Sequence, residues 1–190
     1  MRRAGGILIL AFAQKMTLKL KRTPALYLVG FMCSGKTSVG RGLAEELGWC
    51  FIDLDAEIEA GEGEPVRDIF RKRGEATFRE IETETLRRYV TRIEAGQPCV
   101  LALGGGTFVQ QQNWEIIENN GVTVWLDCTL ETVLQRLGDD LTRPLAEDRI
   151  GLAQLFGDRR PLYSRADFRI EVDTDQVPAI VKKILQLPIF

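Results

Sequence analysis

The sequence predicts an α/β fold, a parallel β-sheet covered by helices on both faces, and three observations point there. Apolar strand-like runs alternate with amphipathic helical segments, the order of a parallel sheet with right-handed crossovers. The strand candidates are continuous apolar runs rather than polar–apolar alternations, as expected when both faces of a sheet are buried. Finally, Gly30-Phe31-Met32-Cys33-Ser34-Gly35-Lys36-Thr37 is a complete GxxxxGK[ST] pattern lying between the first strand candidate and the first helix candidate.

In chain order, the run Ala25-Leu26-Tyr27-Leu28-Val29 reads as a buried strand, and 38–47 reads as the helix after the glycine loop. Further strands are expected at 50–54, 99–103, 122–126 and 168–172. Amphipathic helices are expected at 66–93, 114–119, 130–137, 150–155 and 177–187. No internal repeat or low-complexity linker interrupts the series. Ligands in such sheets bind at the carboxyl ends of the strands.

Strand, glycine loop and helix are the context that makes the pattern a phosphate-binding loop. Its glycines let backbone N–H groups converge on phosphate oxygens, and the helix N-terminus adds a favourable dipole. Lys36 can reach the β- and γ-phosphates, and the Thr37 hydroxyl can ligate Mg²⁺. The sequence therefore describes a protein that binds a nucleoside triphosphate.

Composition narrows the remaining possibilities. A chain of 190 residues is one domain with room for a substantial core, and 45% apolar residues is ordinary for a globular protein. A net charge of −2 without a basic block gives no nucleic-acid footprint. With no histidine, Ser-His-Asp and Cys-His catalysis and every His-containing metal site are excluded. Cys33, Cys50, Cys99 and Cys128 form no CxxC pair. Three of them lie in apolar strand-like contexts and read as small core residues, which suits a reducing cytosol.

The N-terminus superficially resembles a secretory signal: Met1-Arg2-Arg3, an apolar stretch from Gly5, then Ala11-Phe12-Ala13. An ATP-using site belongs in the cytosol, however, and the stretch is too short to span a bilayer. Residues 1–23 are read as a dispensable extension, with Met16 as the functional start.

The strand ends supply further candidates. Strand two ends in Asp53-Leu54-Asp55. One aspartate can hold water around Mg²⁺ and the other can accept a proton from a hydroxyl nucleophile, while helix capping by Asp55 is an equally open reading. Strand three ends in Gly104-Gly105-Gly106, where no side chain blocks a ligand's approach to the backbone. No acidic residue ends that strand, so Asp53 stands in for the usual metal-side aspartate, with Asp127 as the lesser candidate. Arg79 and Glu82 fall three apart on a helix and can pair. The stretch from Arg136 to Ala146 is polar, rich in Gly, Asp and Pro, and reads as a mobile lid whose arginine can meet a transferring phosphoryl group.

Taken together, GFMCSGKTSVGRGLAEELGWCFIDLD, FREIE, LALGGG, TRPLA and RRPLY resemble shikimate kinase. The likeness covers nearly everything from Ala25 to Leu187. It implies a three-layer P-loop kinase fold with a five-stranded parallel sheet of order 2-3-1-4-5 and a mobile lid. One kinase domain is expected at 24–190, with the lid at about 138–158. The implied reaction is ATP-dependent phosphorylation of the 3-hydroxyl of shikimate, giving shikimate 3-phosphate and ADP on the route to chorismate and the aromatic amino acids.

By position, the resemblance makes Lys36, Asp55 and Arg143 catalytic. It gives ATP to Gly30, Cys33, Ser34, Gly35, Lys36, Thr37, Ser38, Arg136, Arg143 and Gln176, with Arg136 packing on adenine. Thr37 and, through water, Asp53 go to Mg²⁺. Shikimate falls to Asp55, Arg79, Gly104, Gly105, Gly106 and Arg159, with the two arginines on its carboxylate. The expected partners are ATP and shikimate, with no nucleic acid and no membrane, in a cytoplasmic monomer.

Two departures from the family pattern matter. Cys33 stands where the family usually has glycine in the phosphate loop, tightening the allowed backbone angles and placing a thiol beside phosphate-binding N–H groups. The lid between Arg143 and Arg159 is somewhat short. The competing readings are a gluconate-type or nucleoside monophosphate kinase on the same fold, and a nucleotide-sensing module without turnover. Arg79, Arg159 and the triple glycine argue against the first pair, and the intact set of Lys36, Asp53, Asp55 and Arg143 against the second.

Overall fold

A computed structural model describes residues 25–138 and 149–190. The extension 1–23, Arg143 and much of the expected lid lie outside the described residues. Five strands, β1 (Ala25–Val29), β2 (Cys50–Asp53), β3 (Cys99–Ala102), β4 (Val122–Asp127) and β5 (Phe168–Glu171), form one parallel sheet of order β2-β3-β1-β4-β5. The helices are α1 (Lys36–Leu47), α2 (Leu54–Glu62), α3 (Val66–Glu94), α4 (Gln111–Glu118), α5 (Leu130–Leu137), α6 (Arg149–Tyr163) and α7 (Val177–Leu185).

Sequence and position in the sheet agree. The central strands β1, β3 and β4 are buried along their whole length, whereas the edge strands β2 and β5 are partly exposed. Continuous apolar runs thus mark the middle of the sheet, where helices cover both faces. Helix α1 carries the chain outward from β1 to β2, and α4 carries it from β3 back past β1 to β4. Two right-handed crossovers running in opposite directions lie on opposite faces of the sheet. Helix α1 packs against α7, and α3 packs against α2 and α4. The loops after β1 and β3 therefore diverge, opening a crevice at the carboxyl ends of those neighbouring strands.

The structure corrects several expectations. Residues 54–62 form a helix that alternation alone did not resolve. The long helix α3 is broken at Gly74, whose φ of 81° and ψ of 168° are not helical. Just before the break, Lys72 and Arg73 pair with Glu64 and Glu62 at the end of α2, tying the first part of α3 to its neighbour. Helix α6 runs well beyond 155, with Pro161 inside it. Cys50 is exposed and joined by a disulfide to its register partner Cys99 in β3, so these two are not simply small core residues. Cys128 is buried and free, as expected.

Candidate active site

The phosphate loop closes the β1 side of the crevice. Gly30 and Gly35 take φ values of 143° and 94°, and Cys33 is the one non-glycine described residue at positive φ, 59°. Lys36 Nζ donates to the carbonyls of Gly30 at 3.0 Å and Phe31 at 2.8 Å, curling the loop around its own lysine. Ser34 is fully buried, and its hydroxyl has no hydrogen-bond partner. Ser38 lies on the cleft wall, one residue beyond Thr37.

Strand β2 ends on Asp53, and the helix that follows it carries Asp55. The Thr37 hydroxyl donates to Asp53 Oδ2 at 2.6 Å, while Asp53 Oδ1 accepts from Ala56 N at 3.4 Å and caps α2. The cap is therefore Asp53, not Asp55. Asp55 sits in the first turn of α2, where the helix dipole favours a carboxylate, and it lines the same cleft of about 450 Å³ as Lys36 and Thr37. Thr37 and Asp53 present two hard oxygen donors there. That suits Mg²⁺, which keeps several waters and takes few protein ligands.

The three glycines after β3 make a floor of bare backbone, of which Gly105 lines that cleft. An added Cβ would stand 2.6 Å from Asp55 Oδ1 at Gly104, 3.5 Å from Arg159 Nη1 at Gly105, and 2.6 Å from both terminal nitrogens of Arg79 at Gly106. Asp55 from α2, Arg79 from α3 and Arg159 from α6 thus converge on one stretch of bare backbone. Any side chain at Gly104 or Gly106 would displace one of them.

Arg79 is held firmly. Its Nη1 donates to Glu82 Oε2 at 2.9 Å, and its Nε and Nη2 donate to Glu75 Oε1. Glu82, only 1% exposed, also accepts from Thr107 at 2.6 Å and from Gln110 at 2.5 Å, so its buried charge is fully engaged. Burial works against the Arg79 charge, but Glu82 and then Glu75 more than offset it, raising its pKa above the ordinary arginine value.

Arg136 spans the other end of the cleft. Its Nη1 donates to the Cys33 carbonyl at 2.9 Å, and its Nε and Nη2 donate to Asp175 Oδ1 at 3.0 and 2.6 Å. Gln176 is exposed at the start of α7, between Asp175 and Val177, which line the cleft. Asp127, the lesser metal candidate, is instead buried in ion pairs with Arg160 at 2.6 Å and Arg169 at 2.7 Å. A carboxylate committed to two guanidinium groups is a structural hub joining β4, α6 and β5.

Sequence reasoning missed Asp175, Gln110 and Thr107, whose places near the site follow from tertiary packing and leave no spacing signal. Tyr163 has no role assigned within the RRPLY string, yet its hydroxyl donates to the Gly105 carbonyl at 2.6 Å.

Known proteins of one family are similar to this chain over most of its length. The shikimate kinase family model matches residues 32–188. A shikimate kinase of Persephonella marina is 42% identical over 161 residues, covering 84% of this chain and 96% of that protein. One from Parasynechococcus marenigrum is 43% identical over 178 residues, covering 90% and 91%. The solved structure of an Acinetobacter baumannii shikimate kinase in complex with shikimate superposes with a TM-score of 0.79 at 38% identity, covering 90% of this chain and 96% of that one. With its sheet order, phosphate loop and arginine-flanked glycine floor, the chain belongs to the shikimate kinase family.

Proposed function

We propose that this protein transfers the γ-phosphoryl group of ATP to the 3-hydroxyl of shikimate, giving shikimate 3-phosphate and ADP. One observation carries the reading most directly: Asp55, Arg79 and Arg159 meet over Gly104, Gly105 and Gly106 beside the phosphate loop. That arrangement suits a compact hydroxylated carboxylate. Guanidinium groups bind a planar carboxylate in a fork, and a carboxylate across the floor can take a hydroxyl.

In this reading the backbone of Gly30 to Ser38 and the Lys36 ammonium cradle the phosphates, with Lys36 exchanging its two loop carbonyls for phosphate oxygens. Arg136 packs on adenine, held from behind by Asp175, and Gln176 borders the same end. Thr37 and Asp53 would hold Mg²⁺, which neutralises charge across the phosphate oxygens when bound. Arg79 and Arg159 orient shikimate by its carboxylate. Asp55 aligns the 3-hydroxyl for in-line attack and takes its proton late, because a loose transition state asks little of a base. Arg143, on the lid at about 138–158, meets the transferring group.

The domain limits stay as read from the sequence: a dispensable extension at 1–23 and one kinase domain at 24–190. We place the enzyme in the cytoplasm as a monomer that binds neither nucleic acid nor membrane. No described helix is long and apolar enough to cross a membrane.

The test is a coupled ADP-release assay over shikimate, quinate, gluconate and nucleoside monophosphates. Turnover with shikimate well above the others is expected. Preference for gluconate or a nucleoside monophosphate would overturn the substrate, and no turnover with any of them would leave a nucleotide-binding module.

A further inference from the structure

Tyr163 ends α6 four residues after Arg159, so both side chains leave the same face of the helix. Its ring is buried and lies 6.2 Å from the Trp125 ring, centroid to centroid. Its hydroxyl donates to the Gly105 carbonyl at 2.6 Å, and the Arg159 guanidinium lies near enough to that hydroxyl to pull its pKa down against burial. A Cβ on Gly105 would stand 3.5 Å from Arg159 Nη1 and 3.7 Å from the Tyr163 oxygen, so the three groups share one small space. On its other side Arg159 lies 5.9 Å from the Phe31 ring centroid, in the phosphate loop.

A phenylalanine would fill the same volume and bury the same ring. What tyrosine adds is one oxygen that can accept from a guanidinium while donating to a main-chain carbonyl. Burial pushes the phenol up to about 12 against the pull of Arg159, so it stays protonated and remains a donor.

We propose that Tyr163 is a positioning residue for shikimate, its hydroxyl fixing the Arg159 guanidinium and the Gly105 carbonyl in a single geometry. The inference rests on the proposed reading that Arg159 meets the substrate carboxylate. An arginine held at its binding angle loses less rotamer freedom when the carboxylate arrives, and that gain appears as affinity. The hydroxyl touches no reacting atom, so its contribution is equal in ground and transition states and acts on KM rather than kcat.

The experiment compares Tyr163→Phe, Arg159→Ala and the double variant in steady-state assays with shikimate, and with an analogue that keeps the 3-hydroxyl but lacks the carboxylate. Tyr163→Phe is expected to raise KM for shikimate about tenfold. Its kcat and its KM for ATP should stay within about twofold of the parent. The penalty should vanish with the carboxylate-free analogue and shrink in the Arg159→Ala background. An unchanged KM for shikimate, an equal penalty with the analogue, or a parallel rise in KM for ATP would each overturn the proposal. If Arg159→Ala raises KM and Tyr163→Phe does not, the proposal fails alone. If Arg159→Ala also leaves KM unchanged, the carboxylate assignment fails with it. A second measurement needs no variant to fold, because the chain has only three tyrosines. In the ¹³C-tyrosine spectrum of the parent protein, the Tyr163 Cζ signal should move with shikimate and not with the analogue; a signal that stays still overturns the proposal.

Discussion

Gly106→Ala adds one methyl group at the most crowded point of the glycine floor. The new carbon would lie 2.6 Å from both terminal nitrogens of Arg79 and 2.9 Å from Cζ, whereas ordinary contact begins at 3.4 Å. The guanidinium must therefore retreat by about 0.8 Å, or the floor must sink by as much. Arg79 cannot swing freely, because Glu82 holds it at 2.9 Å and Glu82 is itself fixed by Thr107 and Gln110. A displacement near 1 Å in a positioning group can cost about a hundredfold in rate, and a charge-assisted bond to a carboxylate is worth about 1.5–3 kcal/mol. We therefore expect KM for shikimate to rise about tenfold or more, with KM for ATP unchanged because the phosphate loop is untouched. The assay is coupled ADP release with shikimate varied at saturating ATP, then the reverse, alongside a thermal melt to confirm folding. A folded variant with the parent KM for shikimate would refute the argument that bare backbone is needed there.

Three further outcomes follow from other parts of the structure. Asp55→Asn keeps size and polarity but removes the charge, so nucleotide binding should persist while kcat falls about a hundredfold; an unchanged kcat would remove Asp55 from the chemistry. Cys33→Gly relieves a left-handed residue whose strain is about 1 kcal/mol, so Tm should rise by about 2 °C, and a fall would show that the side chain's packing outweighs the backbone term. The Cys50–Cys99 bridge closes a separation of 49 residues, for which chain entropy gives at most about 4 kcal/mol. Oxidised protein, verified by mass, should lose several degrees of Tm on treatment with dithiothreitol, and an identical melt would mean the bridge adds nothing to stability.

The sequence carried what local pattern can carry. All five strands lie within about a residue of their expected places, because buried parallel strands are short apolar runs with sharp ends. The phosphate loop, Arg79 with Glu82, and the glycine triplet were legible because each is a contiguous string or an i, i+3 pair. What escaped depends on contacts between distant segments. Asp53 rather than Asp55 caps α2, since one carboxylate oxygen already faces Thr37 and the other reaches Ala56. Asp127 reads as a possible metal residue in the sequence, but in the fold it is paired with Arg160 and Arg169. The partnership of Cys50 and Cys99 follows from the β2–β3 register, which no run of residues announces. The amphipathic pattern marked a helix only over 150–155, yet α6 runs on through Pro161 and carries Arg159 and Tyr163 together to the floor.

The convergence on Gly104, Gly105 and Gly106 has a stereochemical consequence. Asp55, Arg79 and Arg159 approach this floor from three different helices, and the phosphate loop stands beside it. Under the proposed assignments, a ring pinned by its carboxylate at the two arginines and by hydroxyls at the aspartate can place one particular hydroxyl toward the phosphates in only one hand. Its mirror image, held by the same carboxylate, would turn that oxygen away from the γ-phosphoryl group. The site thus reads handedness by three-point attachment, and the glycines, lacking chirality themselves, are what allow the three points to come close enough to do so.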